Sequence, residues 1–96
     1  MPQYMVIGKD GYDAEAPERR ASARPMHLEG AKALKASGNL ITACAMLNDE
    51  GNMIGSVMIM EFEDDFALKA YLDNEPYIKQ SVWQDVEVKP IKVANL

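Results

Sequence analysis

His27 is the only histidine in the chain and lies in the run Arg24-Pro25-Met26-His27-Leu28. Imidazole is the one side chain that ordinarily titrates near neutral pH, so proton transfer is the chemistry it would bring. Arg20, Arg24, His27, Ala31 and Leu34 recur at helical spacing and form one stripe of a helix. Its later members are apolar and would pack inward, which sets two guanidinium groups and an imidazole in line with the buried face. Pro25 would bend the helix at this point. Asp73 and Glu75, beside Pro76 and Tyr77, supply carboxylates at the close of a second helix. Either would fix one tautomer of a nearby imidazole and favour its protonated form. Arg24 or Arg20 would then hold an anionic substrate or a developing enolate. The same residues read equally well as a structural ion pair joining two helix ends.

Other chemistry-bearing residues have plainer readings. Cys44 lies in an apolar strand without a basic neighbour to lower its pKa, so it is expected to be a small core residue. The seven methionines, Met58 and Met60 among them, suit adaptable packing better than metal ligation. Glu61, Glu63, Asp64 and Asp65 lack the spacing of a calcium loop and fit a solvated strand end and a helix cap. Trp83 and Tyr77 would either line a ligand pocket or anchor the last strand. There is no glycine-rich phosphate loop.

The elements that must position these groups follow from pattern. Gln3–Lys9 reads as a strand that Asp10-Gly11 ends. Residues from about Glu15 to Ser37 are helix formers, and Gly38-Asn39 supplies the stop. Leu40–Leu47 and Ile54–Glu63 read as strands joined by the polar hairpin Asn48–Asn52. Asp64 or Asp65 would cap a second helix with Phe66, Ala67, Ala70 and Tyr71 on its apolar face. Pro76 closes that helix, with a helical turn to follow through Ser81, and Asp85–Val93 alternates as a last strand whose Pro90 suits an edge.

The order is βαββαβ, which predicts an α+β, ferredoxin-like fold with one antiparallel sheet in the order 4-1-3-2 and both helices on one face. The other face is the informative one. Val57 and Ile59 alternate with Met58, Met60 and Phe62, and Ile41, Ala43 and Leu47 alternate with Leu40, Cys44 and Met46. Apolar residues thus occupy both faces, although two helices cover only one. A homodimer that packs two sheets face to face is the expected remedy, with further association of dimers left open.

Composition narrows the function. A chain of 96 residues has room for one core, and at about this size a domain buries roughly 60–65% of its unfolded surface. Fifteen acidic against ten basic residues give a net charge of −5 and a pI near 4.7, which argues against nucleic acid or anionic membrane as a partner. No apolar run approaches the roughly 20 residues of a bilayer span, and Met1–Asp10 lacks the basic start of a signal peptide. One cysteine excludes an internal disulfide and one histidine excludes a His-rich metal site. A cytoplasmic protein without metal or cofactor is expected.

The chain resembles the YciI-like (YCII-related) proteins along nearly its whole length. The resemblance rests on Tyr4-Met5-Val6-Ile7, Arg19-Arg20 with Arg24-Pro25-Met26-His27-Leu28, Gly38-Asn39-Leu40-Ile41-Thr42-Ala43, Glu75-Pro76-Tyr77 and Val88-Lys89-Pro90, in that order and spacing. It implies dimeric α/β barrels built from ferredoxin-like units, related in architecture to muconolactone isomerases, and an active site that pairs a histidine with an aspartate in a cleft. The histidine corresponds to His27. The aspartate of the family's Asp-Pro-Tyr motif corresponds to Glu75, with Asp73 the alternative. Ala43-Cys44-Ala45 replaces the family's frequent Ala-Gly-Pro, and the Asn48–Asn52 hairpin is shorter than in many members; both changes fall on the expected cleft wall. The resulting expectation is a cofactor-independent enzyme of isomerase, lyase or dehalogenase type. Its catalytic residues would be His27 and Glu75, with Arg24, Arg20, Asp73 and Tyr77 around an anionic or aromatic-derived small molecule. The alternatives are a non-catalytic dimer that binds a small ligand or regulates a partner, and a cofactor-free monooxygenase.

Overall fold

The computed structural model describes Met1–Leu96 and contains β1 (Gln3–Asp10), α1 (Ala16–Ser37), β2 (Leu40–Leu47), β3 (Met53–Glu61), α2 (Asp65–Asp73), α3 (Pro76–Lys79) and β4 (Trp83–Ile91). The strands form one antiparallel sheet in the order β2-β3-β1-β4, the expected order counted from the other edge. No helix is long and apolar enough to cross a membrane.

Alternation decides which side of the sheet meets the helices. In β1, Tyr4, Val6, Gly8 and Asp10 are buried, and in β3 so are Ser56, Met58 and Met60; Phe62, just past the strand, follows the same parity. With Ala23 of α1, Leu40 of β2, Leu68 of α2, and Tyr77, Val82 and Trp83, the apolar members of this set make up the core. Val6, Met58 and Met60 are wholly excluded from solvent. The opposite face carries Met5, Ile7, Val57 and Ile59. Met5 pairs with Ile59 and Ile7 with Val57, and in the single chain all four are only half-buried.

Some details of these elements depart from the sequence reading, while the Gly38 stop, the Asp64 cap and the helical turn after Pro76 agree with it. β1 runs one residue further than expected and ends on a buried aspartate. The inward stripe of α1 is Ala16, Arg20, Ala23 and His27, so Arg24 falls off it and is exposed. Gly38 ends the helix in the left-handed region at φ 87°, with its N–H bonded to Lys35 O. Asp64 caps α2 by accepting from Ala67 N–H at 2.9 Å. The inward residues of α2 are Leu68 with Ala67, Tyr71 and Leu72; Phe66 and Ala70 are exposed, which corrects the expected face. Pro76 opens a separate short helix, α3.

β2 also differs. A register irregularity between Leu40 and Thr42 sets Leu40 opposite Met60 but Ala43 opposite Met58. Leu40, Ala43 and Ala45 therefore share the helix side, and Cys44 shares a face with Val57. Cys44 is exposed, not a core residue, because β2 is an edge strand and its pleat changes phase at the bulge.

Gly8 shows how tightly the core is fitted around the coming site. A Cβ at this position would lie 2.2 Å from Cδ2 of the Trp83 ring. Gly8→Ala is therefore expected to displace Trp83 and lower stability by about 1–3 kcal/mol, the usual cost of overpacking. Urea denaturation checks the loss, and the near-ultraviolet circular dichroism of the single tryptophan should weaken with it.

Candidate functional site

The site is assembled where the inward stripe of α1 meets the junction between α2 and α3. Glu75 sits between those two short helices and caps α3, accepting from Tyr77 N–H at 3.2 Å with Oε1. The same oxygen lies 2.6 Å from His27 Nδ1, and both side chains are more than nine-tenths buried. Tyr71 Oη, one helical turn before Glu75, donates to Oε2. Three donors from three elements thus converge on one carboxylate. Burial pushes the Glu75 carboxyl up, but the hydrogen bonds from His27 and Tyr71, the His27 charge and the Tyr77 N–H outweigh it, and the net shift is downward. The Tyr71 hydroxyl is pushed up by burial and by the Glu75 charge beside it, so it remains a donor.

The imidazole is clamped by aromatic rings. His27 stacks on Tyr77 with centroids 3.9 Å apart and planes 9° apart, and Trp83 meets the two rings edge-on at 6.0 and 5.5 Å. With Nδ1 committed to a carboxylate that only accepts, the neutral ring carries its proton there and leaves the Nε2 lone pair free.

A second buried network lies alongside. Arg20 Nη1 donates to Asp10 Oδ1 and Oδ2 at 3.0 and 3.1 Å, and Nη2 to Ser56 Oγ at 2.9 Å; Nε has no partner. The guanidinium also lies 4.9 Å from the Tyr77 ring centroid. Burial pushes the Asp10 carboxyl up, against the opposing pull of Arg20, and the balance is upward.

Between these networks and β2 is a cavity of about 190 Å³, lined by His27, Tyr77, Arg20, Arg24, Ser56 and Met58 among others. It shares Arg20, Arg24 and Met53 with an open cleft of about 560 Å³ bounded by Pro17, Ala21 and the hairpin residues Asn48 and Asn52. Arg24 stands at this mouth and enters none of the chain's ion pairs.

Of the residues singled out from sequence, His27, Glu75, Tyr77, Arg20 and Arg24 meet at this place. Asp73 does not: it is exposed and pairs with Lys69 at 3.4 Å. Tyr77 serves as the platform under His27 as well as cavity lining, and Arg20 is consumed by internal partners. Asp10, Ser56 and the Tyr71 hydroxyl escaped sequence reading. Asp10 and Ser56 keep the parity of Tyr4 and Val6 and of Met58 and Met60, and Tyr71 stands four residues before Glu75, so each had a signal.

The four-stranded sheet with helices on one face and a buried imidazole–carboxylate pair at their junction places the protein among ferredoxin-like α+β domains with a small-molecule-sized cleft. More narrowly, the chain belongs to the YCII-related domain family, whose model matches residues 2–92. It is 38% identical over 95 residues to Protein YciI of Escherichia coli O6:H1, covering 93% of this chain and 95% of that one. Among solved structures, it superposes with a TM-score of 0.82 and 23% identity on 5-chloro-2-hydroxyhydroquinone dehydrochlorinase from Burkholderia phenoliruptrix AC1100 in complex with 2,5-dihydroxybenzoquinone, covering 96% and 95% of the two chains. A dimeric ferredoxin-like protein of unknown function from Jannaschia sp. CCS1 matches with a TM-score of 0.58 and 17% identity, over 97% and 100%.

The direction of the Glu75 shift has a consequence for stability. Its folded pKa lies below the ordinary value of 4.5, so its ionisation contributes stability above pH 4.5 and loses it as pH falls through the lower folded value. Acid titration of the unfolding free energy should show this loss in the wild type, and Glu75→Gln should flatten the curve across that window. Equal acid slopes in the two proteins would contradict the assignment.

Proposed function

We propose that the protein is a cofactor-independent small-molecule enzyme in which His27 and Glu75 do acid–base work on an anionic, oxygenated substrate of about one ring. The observation that carries this reading is the buried His27–Glu75 pair whose free imidazole nitrogen belongs to a cavity-lining ring. Nε2 removes a proton from a carbon or oxygen of the substrate, and the imidazolium so formed is stabilised by Glu75. The proton then returns to another atom, which is isomerisation, or the electron pair left behind expels a leaving group, which is elimination or dehalogenation. Arg24, the unpaired cation at the mouth, holds the substrate's negative charge. The cavity is smaller than the roughly 300–1,000 Å³ of sites for drug-sized ligands, which favours a single ring. The dehydrochlorinase with a similar fold and its bound quinone support this class.

The protein acts as a homodimer that covers the half-buried face bearing Met5, Ile7, Val57 and Ile59, a reading that the dimeric ferredoxin-like neighbour from Jannaschia supports. Sedimentation of the wild type should give twice the 10.7 kDa of one chain, and Ile59→Lys should shift it toward the monomer. A monomeric wild type at micromolar concentration would remove the dimer.

The function is tested with 2,5-dihydroxybenzoquinone as binding probe, read by quenching of the single tryptophan, and with chlorinated hydroxyhydroquinones as trial substrates. His27→Ala should lower turnover by about 10²–10⁴-fold, the usual contribution of a general acid–base group, while changing probe affinity little. Arg24→Gln should instead weaken binding about tenfold, with a smaller salt dependence than the wild type. Tight probe binding without turnover of any trial substrate would favour the ligand-binding alternative.

A further inference from the structure

The hydrogen bonds at the inner wall of the cavity leave the Ser56 hydroxyl proton without a protein acceptor, beside the unpartnered Arg20 Nε–H. Ser56 Oγ accepts from Arg20 Nη2 at 2.9 Å, and a guanidinium has no lone pair to accept in return. The serine proton must therefore go to another acceptor, and no group of the chain takes it. The cross-strand partners of Ser56 are Gly8 and Ala45, neither of which has a side-chain acceptor. Asp10, the carboxylate of the same network, faces Arg20 Nη1 with both oxygens. Ser56 is 3% exposed and lines the cavity together with His27 and Arg24. A buried donor without an acceptor is costly, and the cavity is the space from which an acceptor can arrive.

We infer that Ser56 Oγ is a substrate-binding group, donating its hydrogen bond to a carbonyl or oxyanion oxygen of the molecule that occupies the His27 cavity. This deepens the proposed function and rests on its reading of the cavity as the substrate site. The ligand then carries two features: negative charge met at the mouth by Arg24, and an acceptor oxygen met inside by Ser56. Arg20 is a positioning residue. Locked by Asp10, it fixes the rotamer of Ser56 by taking its lone pair, and this polarises the O–H into a stronger donor. An enolate formed when His27 removes a proton would place more charge on that same oxygen, so the Ser56 hydrogen bond would strengthen as the reaction proceeds.

The test uses the intact protein, 2,5-dihydroxybenzoquinone, and the variants Ser56→Ala and Ser56→Gly, each checked for folding by circular dichroism. Both variants should bind the quinone about tenfold more weakly, the size of one net hydrogen bond to a charged ligand. The carbonyl stretching band of the bound quinone should lie lower in the wild type than in either variant, a change that a purely structural role for Ser56 would not produce. Equal affinity and an unmoved band in folded variants overturn the assignment and leave the proposed function standing. A wild type that does not bind the quinone at millimolar concentration overturns the ligand class, and this assignment with it. Should neither variant fold, the wild-type band decides: a position no lower than that of the free quinone in an aprotic solvent overturns the assignment.

Discussion

A carboxylate taken out of water must be repaid in hydrogen bonds, and the arrangement of the helices follows from how Glu75 meets that demand. Its two oxygens divide the work: Oε1 serves His27 and the Tyr77 N–H, and Oε2 serves Tyr71. These donors belong to α1, α3 and α2 respectively, so a single side chain ties together three elements that have few other polar contacts. The tie is local in origin. Asn74 ends α2, Glu75 turns extended at φ −68° and ψ 122°, and Pro76 starts α3 with a fixed φ, which aims the capping carboxylate back toward α1. Capping a four-residue helix and orienting an imidazole are thus one interaction.

The second buried carboxylate behaves differently, and the contrast is informative. Asp10 has a single charged partner, and burial leaves its carboxyl above the ordinary range, whereas Glu75, with donors from three elements, is held below it. Number of donors, not burial alone, sets the outcome. Tyr77 joins the two networks, stacked against His27 and in contact with the Arg20 guanidinium. Polar groups buried in this way are tolerated on a sheet whose other inward residues include Tyr4, Val6, Leu40, Met58 and Met60 because they gather at one end, beside the cavity. Met58, long and flexible, lines the cavity with His27 and Tyr77, and its sulfur lies 3.4 Å from the Tyr71 hydroxyl.

Much of this was legible in the residues. The element order and the strand order follow from alternation, helix stops and topology; topology also brings a carboxylate toward His27 but leaves Asp73 and Glu75 open, and the family resemblance is what points to Glu75. What was missed has physical causes. Asp10 lies at a strand end, where polar residues ordinarily mark turns, and Ser56 lies within β3 beside Gly55, a pair that reads as a break in an apolar run; only the parity of their strands betrays that they face inward. The bulge after Leu40 reverses the pleat of β2, and nothing in an apolar run announces such a shift. In α2, counting apolar residues favours Phe66, but the phase of the helix is set by the Asp64 cap and by docking of Leu68, which leaves Phe66 in solvent. A helical stripe through the charged residues puts Arg24 inward, whereas in α1 the small, fully buried Ala23 takes that place against the sheet.

The fates of the two arginines decide what the cleft can recognise. Two cations line both the cavity and the wider cleft, and only one of them lacks a carboxylate partner. Arg20 is not that one: Asp10 neutralises it and its Nη2 donates to Ser56, so its charge does not reach far into the cavity. Arg24, one helical turn later, has slipped off the buried stripe to the rim shared by the cavity and the wider cleft. An incoming anion therefore meets its attraction at the mouth, before desolvation, while the inner wall offers only directional groups: a hydroxyl fixed from behind and a ring nitrogen fixed by Glu75. Charge at the entrance and hydrogen-bond direction within is the division of labour that selects for a ligand by both its sign and the placement of its oxygens.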